Sequence, residues 1–465
     1  MTQTEGPLGG GHVVFFAPPS GASPAWWAPA RWVGGWVLIA IIAVASPKGT
    51  SAADPPTIAQ ARGETMGTRY VVKIHAPPST LPEDWRLRVD QELREVNDQM
   101  STYLKSSEIS RFNSSTSTDW FEVSPETAMV VAKALEVHRQ SEGALDVTVM
   151  PLVNAWSFGP GKRTQSPPSE ETLAELLRRV GSKHLSARQD PPAIRKAIPD
   201  LSIDLSAIAK GHGVDRVVEL LQGLGAKDLF VEIGGEVRAK GDKGGEPWMV
   251  GLQQPDAKGD AVAKAIPLRD IAIATSGDYR NYFEHEGQRY SHTINPTDGR
   301  PVRHAAASVS VLAADCMTAD AWATAINVLG PEEGVRVAKG VGLDVLLMVR
   351  RDDGTYGAVG TGALAAAAEQ EIVTLVAPQE NGTRPAADQG DSPPSTGSER
   401  AQAPAAAYKQ ATENQTAEQQ AVEQQQTSRP KSYSDRLWAG AIPLGITAAM
   451  IVYAWMRARG RRRAS

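Results

Sequence analysis

Hydrophobic and polar positions recur with two different periods in the central part of the chain, residues 58–377. Apolar residues spaced three or four apart predict helices, and short runs rich in β-branched residues predict strands. The predicted helices are residues 82–100, 124–142, 205–224 and 318–329. The predicted strands are residues 70–74, 228–231, 248–252, 271–275, 308–312 and 344–349. Because helices and strands follow one another without regular alternation, we expect a single domain of the α+β class.

An apolar run near each end of the chain stands apart from this domain. Residues 32–45 are apolar, follow Arg31 and precede small residues, which is typical of a signal-peptide core with its cleavage region. The run is short for a membrane span, so we expect residues 1–53 to be an export signal, with an uncleaved anchor as the alternative. Residues 437–456 are uncharged, and as a helix they would be about 30 Å long. They predict a transmembrane helix.

The segments on either side of residues 437–456 define the expected topology. Residues 457–465 contain five arginines, and basic residues beside a span mark its cytoplasmic side. The domain is therefore expected on the periplasmic, extracytoplasmic side of the cell inner membrane. Residues 378–432 are rich in Gln, Ala, Glu, Ser and Pro, which predicts a disordered linker because such a segment buries too little apolar surface to fold.

Composition excludes two classes of protein. Charged residues make up 22% of the chain, the formal net charge is −5, and the basic clusters are terminal, so we expect no nucleic-acid binding. Cys316 is the only cysteine, which excludes an intrachain disulfide framework. Because Cys316 lies among small and apolar residues, we expect it to be buried.

The first candidate for chemistry is the pair Asp320 and Thr324. Residues four apart share one face of a helix. A hard divalent cation such as Mg²⁺ takes oxygen ligands and is usually completed by water and by substrate phosphates, so the pair can begin a metal site. Taken alone, the pair is weak evidence, and the alternative is that Asp320 is a solvated or capping residue of an Ala-rich helix. His292 titrates near neutral pH and is a candidate general base, with a structural hydrogen-bonding role as the alternative.

Eight sequence motifs accompany these residues. They are TMGTRY (65–70), MSTYLKSSEISRFN (100–113), GALDVTVMPLVNAWSFGP (143–160), DLSAIAKGHGVD (204–215), VEIGGEVRAKG (231–241), ATSGDYRNYF (274–283), YSHTINPTDGRPV (290–302) and TADAWATAINVLG (318–330). In type and order they resemble the motifs of the FAD:protein FMN transferases, also called the ApbE or thiamine-biosynthesis lipoprotein family. The resemblance covers residues 64–360.

The resemblance implies an α+β domain of the tunnelling type. It implies a transferase that takes FAD as substrate, uses Mg²⁺, and attaches FMN to a Thr or Ser of a partner flavoprotein of a respiratory or electron-transfer complex, with release of AMP. The partner's acceptor would be a short Ser/Thr-Gly-Ala-Thr-like string, and neither Ser-Gly-Ala-Thr nor Thr-Gly-Ala-Thr occurs in this chain. We therefore do not expect the protein to modify itself.

The resemblance also implies roles for individual residues. Asp320, Thr324 and the backbone carbonyl of Ala207 would hold the metal. His292 would be the general base, with Asp320 as the next candidate for a catalytic role, and both would act at the bound cofactor. The residues expected to contact FAD are Met66, Tyr103, Ala144, Leu145, Asp146, Asp204, Lys210, Glu236 and His292.

Some positions depart from the family pattern. Asn295 stands where the family more often has Asp, and His212 and Gly213 replace the usual Tyr-Ala. No cysteine directly follows residues 32–45, so the segment 437–456 is expected to replace a lipid anchor. Two other functions remain open from the sequence: an FAD-binding carrier without transfer, and an FAD pyrophosphatase in which water replaces the acceptor hydroxyl.

Overall fold

The computed structural model describes residues 55–160, 164–255, 262–278 and 281–369. The predicted export signal, linker, transmembrane helix and basic tail lie outside these residues. The strands are β1 (Thr57–Thr65), β2 (Thr68–Ala76), β3 (Phe121–Glu122), β4 (Leu185–Gln189), β5 (Pro192–Lys196), β6 (Asp228–Ile233), β7 (Glu236–Lys240), β8 (Trp248–Gln253), β9 (Val262–Leu268), β10 (Ala272–Gly277), β11 (Tyr282–His285), β12 (Gln288–Ser291), β13 (Ala306–Ala313), β14 (Asp344–Arg350) and β15 (Tyr356–Gly360). The α-helices are α1 (Trp85–Met100), α2 (Glu108–Ser114), α3 (Pro125–Gln140), α4 (Met150–Ala155), α5 (Glu170–Leu177), α6 (Ala209–Gly223), α7 (Cys316–Val341) and α8 (Ala365–Glu369).

An eight-stranded sheet organises the domain. Its strand order is β1-β2-β6-β7-β10-β13-β14-β15, and every neighbouring pair is antiparallel. All six predicted strands are present, five of them in this sheet and the sixth as β8 of a separate hairpin with β9. Together with the four predicted helices, this arrangement confirms the α+β class.

Both faces of the sheet are covered. On one face, helices α1 and α6 pack on β2 and β6, and α3 and α7 enclose a second core with β10, β13 and β14. On the other face, the β8–β9 hairpin covers a third apolar cluster that includes Phe230, Trp248 and Leu346. Two-sided burial explains why seven consecutive residues of β13 are buried and why its apolar pattern does not alternate strictly.

Two helices begin or end away from their predicted limits. Helix α6 starts at Ala209 because the preceding residues form a turn, in which the backbone N–H of Ser206 donates to Oδ1 of Asp204 over 2.8 Å. Helix α7 extends to Val341, beyond the predicted end at residue 329. Its axis is interrupted at Gly330, which has φ of 78° and is followed by a proline, so the prediction stopped at a real break.

One missed strand, β1, shapes the functional cleft. It pairs with β2 through a turn of two residues, Met66 and Gly67, whose φ values are 50° and 72°. Two left-handed residues in succession are the signature of the tight hairpin turn that matches strand twist. The turn places Met66 beside the start of helix α6.

Among the residues that the structure describes, no helix is both long enough and apolar enough to cross a membrane. The apolar runs at residues 32–45 and 437–456 lie outside the described residues.

Candidate active site

A cleft of about 1330 Å³ opens beside the N-terminal ends of helices α6 and α7. The hairpin turn at Met66, the β10 strand end and the loop before β13 complete its walls. Every residue predicted to bind cofactor or metal or to act in catalysis lines this one cleft: Met66, Tyr103, Ala144, Leu145, Asp146, Asp204, Ala207, Lys210, Glu236, His292, Asp320 and Thr324. The structure therefore brings together residues that are up to 258 positions apart in the chain.

Three charged side chains form the centre of the cleft. Nζ of Lys210 lies 3.3 Å and 3.4 Å from the two carboxylate oxygens of Asp320, and 3.5 Å from Oε1 of Glu236. Asp320 and Glu236 are each only 3% exposed, so neither is a solvated surface carboxylate. Asp320 does not cap its helix either, because the N-cap of α7 is Asp315. The structural explanations left open by the sequence are thereby excluded for Asp320.

Helices α6 and α7 meet at Gly211 and Asp320. The backbone N–H of Gly211 donates to Oδ2 of Asp320 over 3.0 Å. A Cβ at position 211 would lie 2.2 Å from the carbonyl oxygen of Cys316 and 2.8 Å from Cβ of Asp320, so the helices approach this closely only because residue 211 is glycine. The sequence motif Lys-Gly is thus explained by packing.

The same hydrogen bond leaves the carbonyl of Ala207 available. In a regular helix the N–H of residue 211 would donate to that oxygen, four residues earlier. Here it donates to Asp320, and among the described residues no other N–H or side chain donates to the Ala207 carbonyl. Thr324 lies one helical turn after Asp320 and lines the same cleft.

These donors fit a hard divalent cation. A carboxylate, a hydroxyl and an unbonded carbonyl are the oxygen ligands that Mg²⁺ accepts, with water and phosphate completing the shell. The described residues contain no group of three or more His, Cys, Asp or Glu side chains placed for a metal. The ammonium of Lys210 beside Asp320 shows that the site already accommodates positive charge.

Charge states at the centre follow from burial and from these neighbours. Burial alone would lower the pKa of Lys210, but the attraction of Asp320 and Glu236 outweighs it and raises that pKa, so the ammonium stays charged. Burial raises the pKa of Glu236 to about 7, although Lys210 opposes the shift. Oε2 of Glu236 is buried and has no hydrogen-bond partner among the described residues. Oε2 of Glu236 is therefore available for a hydrogen bond with a ligand.

His292 is placed to take up a proton. Its Nδ1 lies 3.1 Å from the carbonyl of Asn281, and because a carbonyl only accepts, Nδ1 carries the proton and Nε2 keeps a lone pair. Burial lowers the pKa of His292 more than the Asn281 carbonyl raises it, so the ring is neutral at pH 7. The ring packs edge-on against Phe158 at 6.3 Å between centroids. A fixed, neutral imidazole with a free lone pair is a competent proton acceptor.

The remaining predicted ligands differ in what their side chains offer. Tyr103 is 42% exposed, and its hydroxyl lies 3.4 Å from the carbonyl of Phe158. Ala144 and Leu145 are buried apolar residues of the wall. The carboxylate of Asp146 accepts four hydrogen bonds from Thr148 and Ser182, so in this structure it holds two loops together. Contact between Asp146 and a cofactor stays a prediction.

The departures from the family pattern lie away from the charged centre. Oδ1 of Asn295 accepts from the N–H of Thr297 over 2.9 Å, a turn that Asp can also form. His212 faces a second cavity of about 460 Å³ on the opposite side of α6 from the cleft. Burial and the charge of Arg216 lower its pKa to about 4, so it is neutral. Gly213 faces the methyl end of Met66.

Many other residues line the cleft without having been predicted individually. Five of them are Thr275, Ser276, Gly277, Asn281 and Thr293. All five lie inside the motifs 274–283 and 290–302, so the motifs contained the signal. Cys316 is fully buried as predicted, and burial raises the pKa of its thiol well above the usual value, which makes it unreactive.

An α+β domain whose deep cleft combines a charged lysine, two buried carboxylates and a set of hard oxygen donors defines an enzyme that handles a phosphate-bearing ligand. The profile of the ApbE family matches residues 66–347, and the chain belongs to that family. The matched region contains all the predicted site residues.

Known proteins similar to this chain agree with that assignment. An FAD:protein FMN transferase of Vibrio cholerae is 48% identical over 294 residues, which cover 63% of this chain and 87% of the relative. An FAD:protein FMN transferase of Haemophilus influenzae is 42% identical over 326 residues, which cover 68% of this chain and 94% of the relative. Among solved structures, the flavin transferase ApbE from Vibrio cholerae has a TM-score of 0.61 at 43% identity, covering 66% of this chain and 98% of that one. The apo form of the flavinyl transferase ApbE from Pseudomonas stutzeri has a TM-score of 0.62 at 34% identity, and the match covers 68% of this chain and 98% of that one. The family resemblance and the ApbE-type α+β fold are confirmed.

Proposed function

We propose that this protein is an FAD:protein FMN transferase, a transferase that cleaves the pyrophosphate of FAD and attaches FMN to a hydroxyl of a partner protein. The observation that carries the proposal is the convergence of Lys210, Asp320, Glu236 and His292 in one cleft of about 1330 Å³. That volume exceeds the range of roughly 300–1,000 Å³ found for pockets of small ligands and suits a dinucleotide.

The reaction balances as a phosphoryl transfer. The acceptor hydroxyl forms a phosphoester bond with the phosphorus of the FMN half, the anhydride bond breaks, and AMP leaves with the bridging oxygen. The hydroxyl proton passes to a base, for which Nε2 of His292 is the best-placed neutral group on the cleft wall. Asp320 is the alternative, although its oxygens already face Lys210 and Gly211.

Magnesium fits the proposal. Asp320, Thr324 and the Ala207 carbonyl would hold Mg²⁺, which supplies positive charge against the phosphate oxygens when bound. Lys210 adds a second positive charge whose pKa keeps it protonated. Because Lys210 touches Asp320, it also keeps that carboxylate turned toward the cleft. Met66, Tyr103 and the wall at Ala144 would contact the flavin, whose ring stacks on flat or apolar side chains.

Two other functions are tested by one experiment. Purified protein receives FAD, Mg²⁺ and a peptide that carries the Ser/Thr-Gly-Ala-Thr-like acceptor. A transferase yields a covalently fluorescent peptide and one AMP per transfer, and both are lost when the acceptor Thr becomes Ala. A carrier releases no AMP, and a pyrophosphatase releases AMP and free FMN at one rate with or without the acceptor. Either of the last two results overturns the proposal.

The partner and the location also belong to the proposal. The acceptor is a flavoprotein subunit of a respiratory or electron-transfer complex, and the catalytic domain lies in the periplasm, tethered by residues 437–456. The proposal rests on the apolar run and on the arginines of residues 457–465. Alkaline phosphatase fused after Gln426 is expected to be active and fused after Ser465 to be inactive, whereas the reverse pattern refutes the topology.

A further inference from the structure

A second junction joins helices α6 and α7, and no function has yet been assigned to it. Asp215 lies on α6, one helical turn after Gly211, and is only 6% exposed. Its Oδ1 lies 2.9 Å from the backbone N of Cys316, and its Oδ2 lies 2.8 Å from that of Met317. Both N–H groups belong to the first turn of α7, so a side chain of one helix binds the start of the other.

Arg238 holds this carboxylate from the sheet. Its Nη1 lies 2.7 Å from Oδ1 of Asp215, and it extends from β7, the strand that begins with Glu236. The same strand therefore supports both the charged centre of the cleft and the α6–α7 junction. Asp215 and Arg238 lie on the side of α6 that faces the second cavity, away from the cleft.

Capping alone does not explain Asp215. Helix α7 has its own N-cap, because Oδ1 of Asp315 accepts from the N–H of Thr318 over 2.8 Å. Asp215 instead accepts from the two preceding amides, those of Cys316 and Met317, which Asp315 does not bind. A buried carboxylate is costly, and burial raises the pKa of Asp215 to about 6 against the effect of its hydrogen bonds and Arg238. The contact of Asp215 with α7 fixes the distance and the relative orientation of helices α6 and α7.

The distance and orientation between α6 and α7 set the geometry of the proposed metal site. The Ala207 carbonyl and Lys210 lie at the start of α6, whereas Asp320 and Thr324 lie on α7. The Gly211–Asp320 hydrogen bond fixes the helices on the cleft side, and Asp215 fixes them one turn farther along α6. Two attachment points prevent rotation of α7 about the first one, which a single hydrogen bond does not.

We propose that Asp215, held by Arg238, is a positioning residue that sets the separation of the metal ligands on α6 from those on α7. The inference rests on the proposed function for the identity of the metal. It concerns the protein's own residues and does not require that FMN be transferred.

The test compares Asp215→Asn with Asp315→Asn. An Asn at position 215 has one acceptor oxygen, so in either orientation its NH₂ faces an N–H of α7 and one amide loses its partner. Asn at position 315 keeps an acceptor for Thr318 and leaves the α6–α7 link intact. Mn²⁺ serves as the probe, and its binding to the FAD complex is followed by electron paramagnetic resonance without any acceptor. FAD binding in EDTA and thermal unfolding are measured in parallel.

Asp215→Asn is expected to weaken Mn²⁺ binding by about 10-fold or more, the usual effect of losing a group that orients metal ligands. FAD affinity in EDTA is expected to stay within about 2-fold of the wild type, because Asp215 does not line the cleft. Asp315→Asn is expected to bind Mn²⁺ as the wild type does. Wild-type Mn²⁺ affinity in Asp215→Asn, or equal losses in both variants, overturns the inference.

A second variant covers the case in which Asp215→Asn does not fold. Arg238→Gln keeps the carboxylate and its two amide contacts but removes the guanidinium that fixes it. Mn²⁺ binding is expected to weaken in the same direction by a smaller factor, and unchanged binding overturns the inference. If wild-type protein binds Mn²⁺ but transfers no FMN, the proposed function fails while the positioning role stands, so the two outcomes are distinguishable.

Discussion

Replacing Gly211 by Ala tests the close approach of helices α6 and α7 beside the cleft. The added Cβ would meet the Cys316 carbonyl oxygen at 2.2 Å and its carbon at 2.6 Å. Both atoms belong to the backbone of α7, so no side-chain rotation relieves the contact. The helices must separate by about 1 Å, and the Gly211–Asp320 hydrogen bond lengthens with them.

The expected magnitude combines two opposing terms. Ala is favoured over Gly inside a helix by about 1 kcal/mol. Overpacking a tight interface costs about 1–3 kcal/mol, and the upper end applies here because backbone must move. A net loss of about 2 kcal/mol lowers the Tm of a domain of roughly 300 residues by about 3 °C. A displacement of about 1 Å at a catalytic group can cost about 10²-fold in rate, so FMN transfer is expected to fall by that factor.

Gly223→Ala is the matched control. Gly223 is the last residue of the same helix, and no atom lies within 4 Å of a Cβ added there. This variant is expected to keep the transfer rate and to match or slightly exceed the wild-type Tm. Thermal unfolding by circular dichroism and fluorescent labelling of an acceptor peptide measure the two quantities. A Gly211→Ala protein with wild-type Tm and wild-type transfer refutes the packing argument.

Three further predictions concern charge. Asp320→Asn, which keeps an acceptor for Gly211 while removing the charge, is expected to abolish transfer and leave a folded protein; transfer at the wild-type rate refutes the metal assignment. His292→Ala is expected to retain FAD binding and slow transfer by about 10²-fold or more, and full activity moves the base to another group. Because the pKa of Asp215 rises from 3.8 to about 6 on folding, the folded state binds that proton more tightly, and stability falls as pH rises across this interval. Urea unfolding from pH 4 to 7 should show a decrease on the order of 3 kcal/mol that Asp215→Asn lacks, and equal slopes in both proteins contradict the assignment.

Among the residues that the structure describes, local patterns in the sequence predicted six of the fifteen strands and four of the eight α-helices. Helices α1 and α3 end within a few residues of their predicted limits because their apolar positions follow the helical period. The strands later found as β10, β13 and β14 were likewise visible as β-branched runs. Strand β1 was missed, since its sequence TIAQARGET has few apolar residues and its pairing with β2 depends on the turn at Met66.

The motifs predicted the residues of the cleft more completely than the residues considered singly did. All twelve predicted site residues line one cleft. The loops that carry them end at the same side of the sheet and its helices, so they come together there. The motifs did not distinguish side chains that face the ligand from those that hold the loops. The Asp146 carboxylate accepts hydrogen bonds from Thr148 and Ser182. Ser182 lies 36 residues away in the chain, so no local sequence pattern indicates that contact.

The sequence by itself determined the fold class, the family, and the set of residues that meet in the cleft, because periodicity and motif order are properties of neighbouring positions. Tertiary structure decided the rest. The Ala207 carbonyl is available only because Asp320, 109 residues from Gly211, takes the N–H that would bond it. The pKa of Glu236 near 7 and the charge of Lys210 likewise depend on which groups share a buried space. Such effects arise from distances between atoms of different elements, and packing alone sets those distances.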